Sequence, residues 1–220
     1  MQSDLHAVLF DMDGTLVHSE PLWMKSELAL AEEANCDWTL ADGVEMVGRS
    51  LHDAATYIRE RMNLRLEPHE IVDRMVADMV RELSQEIPWQ PGAIEVLHEL
   101  HDAGVKLALV TMSYAQLASI IADEVGLFSA VISGDIVTRG KPFPDPYLQA
   151  AELLGVDPKH TIAVEDSHTG VTSALAAGCT TIVVPGYAPV DKAVGHAHWE
   201  GLVGRSVSDF HGVWRDSVSS

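Results

Sequence analysis

Five short apolar runs punctuate the chain: HAVLF at 6–10, KLALVT at 106–111, SAVIS at 129–133, TIAVE at 161–165 and TTIVVP at 180–185. They are rich in Val, Ile and Leu without strict polar alternation, the pattern of strands covered on both faces. From Pro91 onward, strands alternate with helical patterns. PGAIEVLHELHDAG starts on Pro-Gly and stops at Gly104; PDPYLQAAELLG ends at Gly155; SHTGVTSALAAG runs from a serine cap to Gly178. These are ordinary helix start and stop signals. The alternation predicts an α/β fold, a doubly wound, Rossmann-like parallel sheet with helices on both faces.

The stretch from 19 to 88 has no strand pattern. EPLWMKSELALAEEA and LHDAATYIRERM read as helices. In PHEIVDRMVADMVRELSQ, Ile71, Val72, Met75, Val76, Met79, Val80 and Leu83 form an apolar stripe at helical spacing. That stripe is read as bundle core. The expected organisation is an α/β core of residues 1–18 and 89–220 carrying an inserted helical cap, 19–88, with hinges near 15–20 and 86–91.

The composition is 47% hydrophobic, enough for a full core. The net charge of −19 argues against nucleic acid and against an anionic membrane, since both call for a basic face. It leaves room for a phosphorylated substrate opposed by a metal and a few local cations. Cys36 and Cys179 fit no metal spacing and read as reduced thiols of a cytoplasmic protein. MQSDLHAVLF lacks the basic region and long apolar core of a signal peptide, and no run reaches the length of a membrane helix. The 11 histidines form no zinc-protease pair, and His98 and His101 are expected on a helix surface. The tail from His196 to Trp214 is expected to add a last strand or helix.

In such a sheet, ligands bind beyond the carboxyl ends of the strands. Asp11, Asp13, Gly14 and Thr15 follow the first strand; Thr111, Met112 and Ser113 the second; Lys141 lies past the third; Glu165 and Asp166 close the fourth. Oxygen ligands without His or Cys suit a hard cation, above all Mg²⁺. An aspartate beside it can attack phosphorus, a second can move protons, and a lysine with a hydroxyl can hold phosphate oxygens. Taken singly, Asp11 and Asp13 also read as turn formers before Gly14, Lys141 as a solvated lysine and Ser113 as a helix cap. Gly170 and Ala174 read as close helix–sheet packing. Arg49, in VGRSLHD, reads either as a surface arginine or as a contact to a substrate phosphate or hydroxyl.

Four segments in order, DMDGT at 11–15, VTMS at 110–113, GKPFPDPY at 140–147 and VEDSHTGVTSALAAG at 164–178, resemble the loop motifs of the haloacid dehalogenase superfamily, and with the helical insert the similarity spans nearly the whole chain. The resemblance is to the subgroup with a helical cap after the first motif: sugar-phosphate phosphatases, phosphoglycolate-type phosphatases and β-phosphoglucomutases. It implies Asp11 as nucleophile and Mg²⁺ ligand, Asp13 as general acid/base with its carbonyl on the metal, and Asp166 as a further ligand. Thr111, Met112 and Ser113 would bind phosphate, and Lys141 would balance nucleophile and phosphate. Glu165 would be a direct or indirect partner of the metal. The implied activity is Mg²⁺-dependent hydrolysis of small phosphate monoesters, sugar- or polyol-like, through an aspartyl-phosphate. The alternatives are a phosphomutase and a non-catalytic phosphometabolite-binding protein. Mutases of the subgroup carry a histidine in the cap hinge where this chain has Trp23, with His18 nearby. The exact ester and the oligomeric state are not written in the sequence.

Overall fold

The computed structural model describes residues 5–46 and 49–219; residues 1–4, at the head of the stretch read for a leader, and Val47 and Gly48, beside Arg49, lie outside them. The five apolar runs form β1 (Ala7–Phe10), β2 (Lys106–Val110), β3 (Ala130–Ile132), β4 (Thr161–Glu165) and β5 (Thr180–Val183). The tail adds both a two-residue β6 (Ala197–His198) and a helix. All neighbours are parallel, in the order β3-β2-β1-β4-β5-β6. Strand addition therefore reverses direction between β1 and β4, which opens a crevice at their carboxyl ends.

Between β1 and β2 lie α1 (Glu20–Glu33), α2 (Leu40–Val44), α3 (Leu51–Arg61), α4 (Pro68–Leu83) and α5 (Ala93–Asp102). Then α6 (Ala115–Val125) follows β2, α7 (Asp145–Leu154) follows β3, α8 (His168–Ala177) follows β4, and α9 (Val207–Val218) follows β6. The pleat sends alternate residues to opposite faces. Val8, Phe10, Leu107, Leu109 and Val164 pack with residues of α5, α6 and α9, while Ala7, Leu9, Ala108, Val110 and Ala163 pack with residues of α7 and α8. Helices on both faces explain why the strands read as unbroken apolar runs.

α1 and α3 pack on α4, and α4 packs on α6. The α4 stripe is buried as expected except at Val80, which is half-buried at the edge of the face. The chain leaves and re-enters the sheet region side by side. Val17 and Trp89 form an antiparallel bridge, the Gln90 N–H donates to the Leu16 carbonyl at 2.8 Å, and the His18 N–H donates to the Pro88 carbonyl at 2.7 Å. The Gln90 side-chain amide also donates to the Gly14 carbonyl at 2.9 Å. Among the described residues, no helix is long and apolar enough to cross a membrane.

Candidate active site

The carboxyl ends of β1, β2 and β4 and the loop after β3 meet at the crevice. The Asp11 N–H donates to the Val164 carbonyl at 3.0 Å, continuing the β1–β4 pairing one residue past the strand. Its Oδ1 accepts a bond from Lys141 Nζ at 2.6 Å, and its Oδ2 is buried with no hydrogen-bond partner. Lys141 is buried too. Its ammonium also donates to the Val110 carbonyl at 3.0 Å and stands 2.6 Å from Glu165 Oε1. Burial alone would lower its pKa, but Asp11 and Glu165 outweigh that and hold it above the ordinary lysine value. So Lys141 is a fixed cation rather than a solvated loop lysine.

Burial pushes the Asp11 carboxyl up to about 8; Lys141 pulls against this, and Glu165 and Asp13 add repulsion. Asp166 is pushed well above the carboxylate range by burial and by Asp11, Glu165 and Glu20. Oxygens of Asp11, Glu165 and Asp166 lie within 4.8 Å of one another. A donor set of buried carboxylates with no nitrogen or sulfur, one oxygen unpartnered, fits a hard divalent cation. Glu165 is the most committed of the three. Its Oε1 accepts from Tyr147 at 2.6 Å, and its Oε2 accepts from the Asp166 N–H at 3.3 Å and the Ser167 hydroxyl at 3.2 Å.

Asp13 has a different environment. Oδ1 accepts from the Ser19 hydroxyl at 2.6 Å and the Trp23 indole N–H at 3.1 Å; Oδ2 accepts from the Thr111 hydroxyl at 3.1 Å and the Ser113 hydroxyl at 2.7 Å. Ser19 occupies the cap position of α1 but makes no capping bond, because its hydroxyl is given to Asp13. Ser113 is likewise no cap, for Tyr114 holds that position of α6. Both carboxylate oxygens of Asp13 are thus held by neutral donors. Two glycines make the crowding possible. A Cβ on Gly14, at φ +83°, would lie 2.0 Å from Asp166 Oδ2, and one on Gly170 would lie 2.0 Å from the Glu165 carboxyl carbon. Gly170, on α8, thus lets the helix close over the Glu165 carboxyl at the end of β4, the close helix–sheet packing expected of it.

A cavity of about 130 Å³ opens from these residues toward α1, α2 and α4, with Trp23, Met24, Met46 and Met75 among its apolar walls. Met112 lines it on the core side, and its Sδ accepts the Lys141 N–H at 3.3 Å. Arg49 also borders it. The guanidinium is already paired with the Glu45 carboxylate, and it lies 5.6 Å from the Tyr57 ring centre. Sequence reasoning passed over Ser19, Tyr147, Gln90 and Glu27. Tyr147 lies inside the GKPFPDPY segment, and Glu27 falls at helical spacing from Trp23 and Leu30, a signal that α1 buries it.

A family profile for haloacid dehalogenase-like hydrolases matches residues 5–178. Hexitol phosphatase A of Escherichia coli is 33% identical over 195 residues, 83% of this chain and 83% of that protein. A phosphorylated carbohydrates phosphatase of Thermotoga maritima is 29% identical, over 81% of this chain and 84% of its own length. The structure of CbbY from Rhodobacter sphaeroides in complex with phosphate superposes with a TM-score of 0.84 at 24% identity, covering 93% of this chain and 98% of that one. β-Phosphoglucomutase from Clostridium difficile superposes with a TM-score of 0.85 at 17% identity, covering 98% of this chain and 100% of that one, a likeness of fold. The profile match and the sequence relatives together place the chain: it belongs to the haloacid dehalogenase-like hydrolase family, as a phosphoric monoester hydrolase.

Proposed function

We propose that this chain is a Mg²⁺-dependent phosphatase of small sugar- or polyol-phosphates, working through an aspartyl-phosphate on Asp11. The observation that carries the reading is Asp11 itself, a buried carboxylate with one oxygen fixed by a buried lysine and the other unpartnered. Such a group is oriented and poorly solvated, the condition for a nucleophile. Asp11, Asp166 and the Asp13 carbonyl would hold Mg²⁺, with Glu165 orienting them through its own bonds. When bound, the ion neutralises phosphate charge and lowers the cost of two anions meeting.

Asp11 attacks phosphorus, and the ester oxygen leaves with a proton from Asp13. Asp13 then takes a proton from water as that water attacks the phosphorylated Asp11. Lys141 stays on the nucleophile and balances charge on the transferring group. Thr111 and Ser113, which spend their hydroxyls on Asp13 here, can turn toward phosphate oxygens. Residues 19–88 act as the cap that walls the cavity and excludes water. The carbohydrate and hexitol phosphatases among the relatives support the substrate class. The mutase reading has less support, since Trp23 stands where the resemblance expects histidine, and His18 sits 3.4 Å from Glu20 instead. A sensor without turnover would have no need of both Asp11 and Asp13 beside Lys141.

The test is phosphate release from a panel of phosphorylated sugars, polyols and acids, with Mg²⁺ or with chelator and without any bisphosphate. Turnover that needs Mg²⁺ and no bisphosphate is expected. Full activity in chelator, or turnover only with a bisphosphate activator, overturns the reading.

A further inference from the structure

Glu27 is a buried carboxylate that the mechanism does not use. It lies on α1, 4% exposed, and lines the cavity. Its Oε2 accepts a bond from the Trp38 indole N–H at 3.0 Å, and Oε1 has no hydrogen-bond partner among the described residues. Among the described residues no cation pairs with it. The two that line the same cavity are engaged elsewhere, Lys141 by Asp11 and Glu165, Arg49 by Glu45. The cavity wall that it shares carries the apolar side chains of Met24, Met46, Ala54 and Met75. Burial pushes the carboxyl up to about 7, with Asp42 adding repulsion and the Trp38 bond opposing. A carboxylate buried with one neutral donor destabilises the fold, and a methionine or leucine would fill the same space without that penalty. The arrangement makes sense if a ligand supplies the missing donor.

We propose that Glu27 is the specificity-determining residue of the cavity: its Oε1 accepts a hydrogen bond from a hydroxyl of a neutral sugar or polyol phosphate, at the end away from the ester, and turns away esters bearing a carboxylate or second phosphate there. Trp38 is its positioning residue, holding Oε2 and leaving Oε1 for the ligand. A hydroxyl can donate to the carboxylate, whereas an anionic tail meets like charge there while Arg49, at the cavity border, is held by Glu45. The inference rests on the phosphatase reading and narrows it.

Glu27→Gln keeps the shape and can keep the Trp38 bond, but turns an acceptor into a donor at the cavity. With Mg²⁺ present, kcat and KM are measured for sorbitol phosphate, phosphoglycolate and p-nitrophenyl phosphate. The wild type should prefer sorbitol phosphate to phosphoglycolate. In Glu27→Gln the ratio of their kcat/KM values should fall about tenfold or more, chiefly through a higher KM for sorbitol phosphate, with p-nitrophenyl phosphate as the internal reference. Trp38→Phe should move the same ratio in the same direction by less, and it keeps the question answerable if Glu27→Gln folds poorly. Parallel losses on all three esters would mean that Glu27 only supports the fold, and overturn the inference while phosphatase activity stands. A wild type that prefers phosphoglycolate overturns it as well. A wild type that hydrolyses none of the three brings down the phosphatase reading first and this inference with it.

Discussion

Three of the four donors around Asp13 are hydroxyls, from Ser19, Thr111 and Ser113, which can rotate and accept; the Trp23 indole can only donate. While Trp23 is in place, Oδ1 stays an acceptor, so in the proposed mechanism the proton for the leaving oxygen would sit on Oδ2. Asp13→Asn should then slow phosphorylation by an alkyl phosphate by about 10²–10⁴-fold. It should slow it clearly less with p-nitrophenyl phosphate, whose leaving group departs without a proton. Single-turnover rates for the two esters check this, and equal losses would assign the proton to another group. Asp11→Asn should abolish turnover on both esters while circular dichroism stays native. Gly170→Ala presses a methyl into the Glu165 carboxyl; the expected outcome is weaker Mg²⁺ binding, read by activity titration against the metal, with kcat recovering at high Mg²⁺.

Within α4, the spacing of Ile71, Val72, Met75, Val76 and Met79 predicts which face is buried, because a long amphipathic helix states its period repeatedly. Met79 is 1% exposed, so Met79→Ala should destabilise the chain by about 2–5 kcal/mol in chemical denaturation. Short elements state nothing so clearly. β6 is two residues, Ala197 and His198, and exists because Thr181 and Val183 carbonyls accept the His196 and Trp199 N–H groups. α2 contains an Asp and a Gly and is held by a Thr39–Asp42 capping box rather than by propensity. The candidate site at the sheet edge was legible because its residues fall directly after apolar runs, as Asp11 does after Phe10. Glu27 and Ser19 were not, because a polar residue on a helix reads as exposed until the neighbouring element, here Trp38 or Asp13, is known to face it.

Across the whole molecule the acids pull stability in opposite directions with pH. Asp11 and Glu27, pushed up to about 8 and about 7, hold their protons more tightly folded than unfolded. Their charged forms therefore penalise folding at high pH, and the penalty is relieved as pH falls through those values. Asp42, drawn down to about 2 by its Thr39 bonds with help from Arg61, contributes stability above its ordinary value that is lost as pH falls toward about 2. In chelator, melting temperature should rise as pH is lowered from about 8 to about 5 and drop under stronger acid. Mg²⁺ should raise it most near pH 8, where the cation replaces protons on Asp11 and Asp166; no Mg²⁺ shift there would count against that metal site. The bridge between Val17 and Trp89 bears on the molecule in another way. Where a detour begins and ends at touching residues, its length places little demand on the sheet. The entropy of closing such a detour grows slowly, by about 0.6 kcal/mol for each doubling of length. Helices between Val17 and Trp89 can thus be lengthened, shortened or exchanged while β1 keeps its register with β2 and β4, so the cavity walls can be rewritten without disturbing where Asp11 points.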